Sequence, residues 1–304
     1  MTNQSFEKNL TDCTIAIAGL GLMGGSLGLA LRGRVGRVIG IARRAETIDQ
    51  ALAAGAIDLG CQMLSEGIAE ADIIVLATPV SVIMAQIEEI GRLARGGGVR
   101  EGVVLIDMGS TKERICDALD RLPATIQPIG GHPMCGKETS GLDVAEAGLY
   151  CGAPFVLSPL PRTARQAVAL ATELATAVGA CPIELDPLRH DRLAAGISHV
   201  PYLASVAVFA AANDLAQGDD MAWRLAAGGF RSTTRLAGSD DKMMADILLT
   251  NREAVLAQLD RLQASLSQLA ALITAGDEAR LRDLAGAVRR QRAEFLEKYG
   301  KSIP

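Results

Sequence analysis

The chain has 304 residues, 49% of them hydrophobic but only 3% aromatic, which is enough for one or two soluble domains with cores of Ala, Leu, Ile and Val. Its 30 basic and 35 acidic side chains give a formal charge of −5 with no basic cluster, which argues against a nucleic-acid groove but not against small acidic ligands. Six cysteines, at 13, 61, 116, 135, 151 and 181, form no C-x-x-C pair and have no nearby histidine set, so no metal site is expected, and a reducing cytoplasm is.

The opening stretch, MTNQSFEKNLTDC, lacks an apolar segment and predicts no signal peptide. From Thr14 to about Asp186 the pattern alternates. The runs TIAIAG, RVIGIA, ADIIVLATP, GVVLIDMG, PFVLSP and CPIELD read as strands, with helical stretches at 24–33, 46–54, 80–94 and 112–121 between several of them. That alternation predicts βαβ units and a mostly parallel sheet. After Pro187 the strands stop and long Ala/Leu-striped helices follow. The expected fold class is therefore α/β, a Rossmann-like dinucleotide-binding domain over 1–186 followed by an all-α domain over 187–304.

The first strand runs into Gly19-x-Gly21-x-x-Gly24, which opens a helix. A bare glycine motif says little, but this strand–loop–helix setting is the one that pyrophosphate binding requires. Gly19 permits the tight turn, Gly21 lets the backbone approach the phosphates, and Gly24 lets helix and strand pack closely. The helix start then offers unpaired N–H groups to the anion. Leu22 and Met23, between these glycines, and Thr78, after IIVLA, complete the candidate cofactor contacts at the strand ends. An NAD-preferring site usually has an acid about 20 residues past the loop. Here Arg43 and Arg44 end the second strand, and a guanidinium suits a 2′-phosphate, so NADP is favoured over NAD.

Further along, Ser110 in DMGSTK follows another strand. It reads either as a crevice residue or as a helix N-cap with Glu113 as capping-box partner. His132, one of 3 histidines, lies in GGHPMCGKETSG, read as a glycine-flanked loop after an apolar run. Loops at the carboxyl ends of such strands are where ligands bind, so His132 is the candidate general base. HDRLAAGISHVPY carries His190 and His199. Nine residues on an unbroken helix put them on opposite faces, so Ser198 with His199 reads as the functional pair and His190–Asp191 as a helix-start feature. The segment 193–212 is long and apolar but holds a histidine, a proline and two serines, and reads as a core or subunit-interface helix. Arg231 and Arg235 flank a turn in GGFRSTTRLAGSD, where an arginine fork could hold a carboxylate. Val255, Leu259, Leu262, Leu266, Leu269 and Ile273 form one apolar helical seam, for packing within a subunit or between two.

Five blocks in order, GLGLMGGSL, GSTK, GGHPMCGKETSG, HDRLAAGISHVP and GGFRSTTRLAGSD, resemble the prephenate/arogenate dehydrogenase family of tyrosine biosynthesis, from about Thr14 to the C-terminal helices. The resemblance implies oxidative decarboxylation of a cyclohexadienol, prephenate or arogenate, with hydride passing to NADP or NAD. It makes His132 the group that takes the ring-hydroxyl proton, assisted by Ser110. It also makes Arg235, but not Arg231, the carboxylate ligand, Glu138 a gating or substrate-side acid, and Ser198 and His199 pocket residues. Tyr202 stands where many members carry a second histidine, so it bears on substrate choice and on inhibition by tyrosine. Cys135 replaces a common alanine and reads as packing. No fused mutase or regulatory domain is expected after the last helix. Prephenate is the favoured substrate, and a homodimer through the helical domain is the family expectation. Two rivals stand beside this reading: another two-domain NADP-dependent hydroxyacid or imine dehydrogenase, for which the helical half offers only Lys242 before its C-terminal tail, and a non-catalytic dinucleotide sensor.

Overall fold

In the computed structural model, which describes residues 8–137 and 139–300, eight strands form one sheet. They are β1 (Thr14–Ala18), β2 (Arg37–Ile41), β3 (Leu59–Cys61), β4 (Ile73–Leu76), β5 (Val104–Asp107), β6 (Gln127–Pro133), β7 (Pro154–Pro159) and β8 (Cys181–Glu184). Their spatial order is β3-β2-β1-β4-β5-β6-β7-β8. All neighbours are parallel except β6 and β7, so the last two strands run against the rest. Helices α1 (Leu22–Leu31), α2 (Ala45–Ala53), α3 (Leu64–Ile68), α4 (Val80–Arg95), α5 (Glu113–Asp120) and α6 (Arg165–Ala177) make the connections.

The strands read as unbroken apolar runs because both faces of the sheet are covered. Successive residues alternate between two cores: Ile15, Ile17, Ile73 and Val75 enter one, and Ala16, Ala18, Ile74 and Leu76 the other. Each such Ile or Leu contributes roughly 1.5–3 kcal/mol by leaving water. The two cores fix the strand order. The order in turn places the ends of β1, β4, β5 and β6 along one edge, with the reversal of direction between β1 and β4 at its middle. This is the edge at which open α/β sheets bind ligands.

Strands β3 and β6 and helices α3 and α6 were not among the expected elements. β6 has the sequence QPIGGHP, poor in β-formers, yet it is held on both sides by β5 and β7. His132 therefore lies within a strand, opposite Val156 of β7, rather than in the expected loop.

After β8 the chain is helical: α7 (Pro187–Ala194), a π turn (Ala195–His199), α8 (Val200–Ala216), α9 (Met221–Leu225), α10 (Gly228–Thr233), a 3-10 turn (Arg235–Gly238), α11 (Asp241–Thr250), α12 (Arg252–Ala275) and α13 (Glu278–Tyr299). The helical run Pro187–Ala216 is long and apolar enough to cross a membrane by length and composition, with mean hydropathy 1.6. Only 28% of its most apolar window is buried within one chain, so it is not the core helix that was one of its two readings. The α12 seam behaves alike: Val255 is buried, but Leu266 and Ile273 are 56% and 67% exposed.

Candidate active site

The glycine loop has the geometry its spacing predicts. Gly19 has φ +101°, and a Cβ there would lie 2.6 Å from the Ala77 carbonyl oxygen. A Cβ on Gly24 would come within 1.8 Å of the Gly19 carbonyl oxygen, so helix and loop touch backbone to backbone. At Gly21 a Cβ would meet nothing within 4 Å. Tightness at the first and third glycines and open space at the second suit a backbone cradle for a pyrophosphate. No side chain caps α1, whose first turn faces this space with its N–H groups. The segment after β6 folds over the same helix: the Tyr150 hydroxyl donates to the Met23 carbonyl (2.5 Å) and the Glu146 N–H to Ser26 Oγ (3.0 Å).

The two glycines before His132 have a different cause. A Cβ on Gly130 would meet Cys116 Sγ at 2.6 Å and Lys112 Cδ at 3.2 Å, and one on Gly131 would meet the Asp107 carbonyl oxygen at 2.3 Å. Lys112 is fully buried and its ammonium pairs with the equally buried Asp107. The Asp107 carboxylate also accepts from Gly109 N–H (2.8 Å) and Gly131 N–H (3.0 Å). Bare backbone at 130 and 131 is what lets this ion pair fit beneath the histidine.

The His132 ring is held from the other side. Its Nδ1 lies 2.8 Å from His190 Nε2, and His190 Nδ1 lies 2.7 Å from Asp191 Oδ1. The Asp191 carboxylate also accepts the N–H groups of Lys112 (2.7 Å) and Glu113 (2.9 Å), capping α5 from a different helix. These bonds set the tautomers. A carboxylate can only accept, so His190 donates through Nδ1, and when that ring carries a single proton its Nε2 accepts. His132 must then donate through Nδ1, which leaves its Nε2 with a lone pair. Burial pushes the His132 pKa well below its ordinary value, with the charges of His190, Lys112 and His199 acting in the same sense. The ring is thus a neutral proton acceptor.

The structure brings His190 and His199 together through a feature that the expected straight helix lacks. The Val200 N–H bonds to the Ala195 carbonyl five residues back, a π turn that alters the rotation between the two histidines. Asn251 Nδ2 bridges the Asp191 carbonyl (2.8 Å) and His199 Nδ1 (3.1 Å). Burial lowers the His199 pKa to about 4, opposed by Asp191 and aided by His190.

The expected partner of His199, Ser198, is exposed on the π turn. His190 and Asp191 do not start their helix, because Asp186 caps α7 through Arg189 N–H (2.9 Å). Sequence reasoning thus missed the role of His190 and Asp191. Ser110 is not the cap of α5, which begins at Glu113 with no side-chain cap of its own. It is half-buried at the end of β5. Thr78 Oγ1 donates to Gln86 Oε1 (2.8 Å), and Arg43 and Arg44 are exposed at the end of β2 with no acid beside them in sequence. Leu22 is buried and Met23 half-buried at the start of α1. Arg231 ends in α10 while Arg235 starts the following 3-10 turn, so the two belong to different elements. Tyr202 is half-buried in the first turn of α8. Glu138 lies outside the described residues. Burial pushes the Cys135 thiol up to about 11, which leaves it un-ionised and unsuited to nucleophilic attack. Among the described residues, no group of three or more His, Cys, Asp or Glu could hold a metal ion.

Two family models match the chain: the nucleotide-binding domain of prephenate dehydrogenase over residues 27–184 and its dimerization domain over residues 186–286. The prephenate dehydrogenase of Bacillus subtilis (strain 168) is 35% identical over 252 residues, which are 81% of this chain and 66% of that protein. The cyclohexadienyl dehydrogenase of Zymomonas mobilis is 29% identical over 86% of this chain and 89% of its own length. Among solved structures, Synechocystis arogenate dehydrogenase superposes with a TM-score of 0.80 at 30% identity, covering 93% of this chain and 99% of that one. Prephenate dehydrogenase from A. aeolicus, in complex with hydroxyphenyl propionate and NAD+, gives 0.84 at 28% identity over 95% of this chain and all of its own.

Proposed function

The chain belongs to the prephenate dehydrogenase family, and from that premise we propose that it oxidatively decarboxylates prephenate to 4-hydroxyphenylpyruvate in tyrosine biosynthesis. Arogenate is the competing substrate. The observation that carries this reading is the bond chain from Asp191 through His190 to His132, which leaves His132 Nε2 as an acceptor at the strand edge that also carries the glycine loop.

Each residue then has a defined task. His132 Nε2 takes the proton of the ring hydroxyl, and Ser110 steadies that hydroxyl. Positioned proton removal of this kind is worth about 10²–10⁴ in rate. Arg235 holds a substrate carboxylate and the half-buried Tyr202 touches the substrate side chain, with Ser198 and His199 in the pocket and Glu138 as a gating or substrate-side acid. The ring carboxylate departs as CO2 and the ring becomes aromatic, which supplies much of the driving force. A bound nicotinamide supplies the hydride acceptor, and Gly19, Gly21, Leu22, Met23, Gly24 and Thr78 are the residues that would hold it. Arg43 and Arg44 favour NADP over NAD, since they stand directly after β2 where an NAD site usually has its acid, and a guanidinium pairs with a 2′-phosphate.

The working unit in this reading is a cytoplasmic homodimer, with residues 1–186 binding the dinucleotide and 187–304 the substrate and the second subunit. The exposed apolar faces of α8 and α12 support the dimer. The test is a matrix of prephenate and arogenate against NADP and NAD, following reduced nicotinamide and aromatic product together. Prephenate with NADP should give the highest kcat/KM. A value at least about ten times higher with NAD, a difference of about 1.4 kcal/mol, overturns the cofactor assignment. No aromatic product from either dienol overturns the function.

A further inference from the structure

Lys112 is a buried cation that the proposed chemistry does not use. Its side chain runs beneath Gly130 to Asp107, at full burial on both sides. Asp107 holds the N–H of Gly131, the residue before His132. The backbone N–H of the same lysine holds Asp191 Oδ1, at the far end of the bonds that orient the His132 ring. One residue thus touches both supports of the imidazole, the strand that carries it and the carboxylate that aims it. We propose that Lys112 is the positioning residue for His132, securing its backbone through Asp107 and its ring through Asp191 while keeping a fixed positive charge behind it. This rests on the reading of His132 as the base.

A cation here has a direct chemical consequence. The groups that bear on the His132 ring come from every element around it: Lys112 before α5, Asp107 from β5, Cys116 from α5, His190 and Asp191 from α7, and His199 from the π turn. Burial drives the Cys116 thiol up to about 12, so it brings no charge at neutral pH. Lys112 is the permanent cation of this set, and a cation beside an imidazole disfavours the imidazolium. A bystander ion pair would brace the fold equally well from either side of the sheet. This one, placed under the base, also keeps it ready to accept.

The three histidines make the test direct, because ring-nitrogen NMR of labelled protein gives three pairs of signals, and His132→Asn identifies one pair. In the wild type, the His132 ring should stay neutral and Nδ1-protonated from about pH 9 to well below the midpoint of an ordinary histidine. In Lys112→Met its titration midpoint should rise by at least about one pH unit, and the acid limb of kcat/KM for prephenate should move to higher pH by the same amount. KM for the dinucleotide should stay unchanged, since the glycine loop is untouched. The double variant Asp107→Asn/Lys112→Met keeps the buried site electrically balanced and the acceptor for Gly131. It guards against a single variant that fails to fold, and should show the same upward movement with smaller size. A wild-type His132 that titrates at or above about 6.5, or a midpoint that stays in place in either folded variant, overturns the proposal. If wild-type protein turns over neither dienol, the proposed function fails while the NMR titration still decides the role of Lys112.

Discussion

Two carboxylates stand at opposite edges of the sheet, each facing a cation, and depth separates their roles. Asp72 precedes β4 at the amino edge, where it accepts from Thr14 N–H (2.8 Å) and pairs with Lys8 and Arg100, whose side chains are 36% and 52% exposed. Asp107 ends β5 at the carboxyl edge and faces Lys112 with no exposure on either side. Pairs with exposed cations contribute about 0–1 kcal/mol each. A buried pair carries a desolvation cost that its own attraction offsets only with good additional hydrogen bonds, so burial of charge is weak support for a purely stabilising role. The amino edge is a seam, and the carboxyl edge is where the molecule invests in orientation.

The largest expected effect lies wholly on the carboxyl side. His132→Asn should lower kcat by about 10²–10⁴ with an unchanged melting temperature, and unchanged turnover would remove the base from the mechanism. A matched pair of variants sharpens the contrast next. Asp191→Ala strands the N–H groups of Lys112 and Glu113 and the Nδ1–H of His190, and should cost about 3 kcal/mol of stability, with kcat down at least about tenfold. Asp72→Ala lets two exposed cations return to water and leaves only the Thr14 N–H without its acceptor, and should cost about 1–2 kcal/mol with kcat intact. Equal losses in urea melts and in turnover would erase the distinction between the edges.

The last effect is one of pH and touches stability alone. The His199 pKa is about 4 when folded against 6.5 for an ordinary histidine, mainly through burial. Below 6.5 the unfolded chain therefore binds protons that the folded one refuses, so this contribution is complete above 6.5 and is lost as pH falls towards about 4. At pH 5 the loss should be about 2 kcal/mol relative to pH 7.5. His132, shifted in the same direction, adds to it. Urea midpoints at the two pH values, with His199→Gln as the flattened control, measure it.

Much of the carboxyl edge was legible in the sequence because backbone geometry leaves a local mark. Gly19 and Gly24 had to be glycine for contacts with Ala77 and with each other, and spacing alone locates such contacts. Strand β6 was hidden because its glycines and prolines are poor strand formers, and neighbours on both sides override that preference. The bonds from His190 to His132 and from Asp191 to Lys112 join residues 58 and 79 apart in the chain, which no local pattern encodes. One clue to the π turn was present: Pro201 has no N–H for the carbonyl four residues back, at Ile197, and so loosens the ladder beside His199. The seam of α12 was visible as a seam, and its residues Leu266 and Ile273 stand exposed.

The trans-capping acid has a consequence for how such proteins can be rebuilt. Asp191 enters after the sheet has ended at Glu184, yet it caps α5 and aims the imidazole of β6. A chimera spliced at the natural joint near Asp186 would inherit its nucleotide cradle from one parent and the compass of its proton acceptor from the other. Recombination that respects function has to cut downstream of the aspartate, so the exchangeable parts of this protein are offset from the parts that fold.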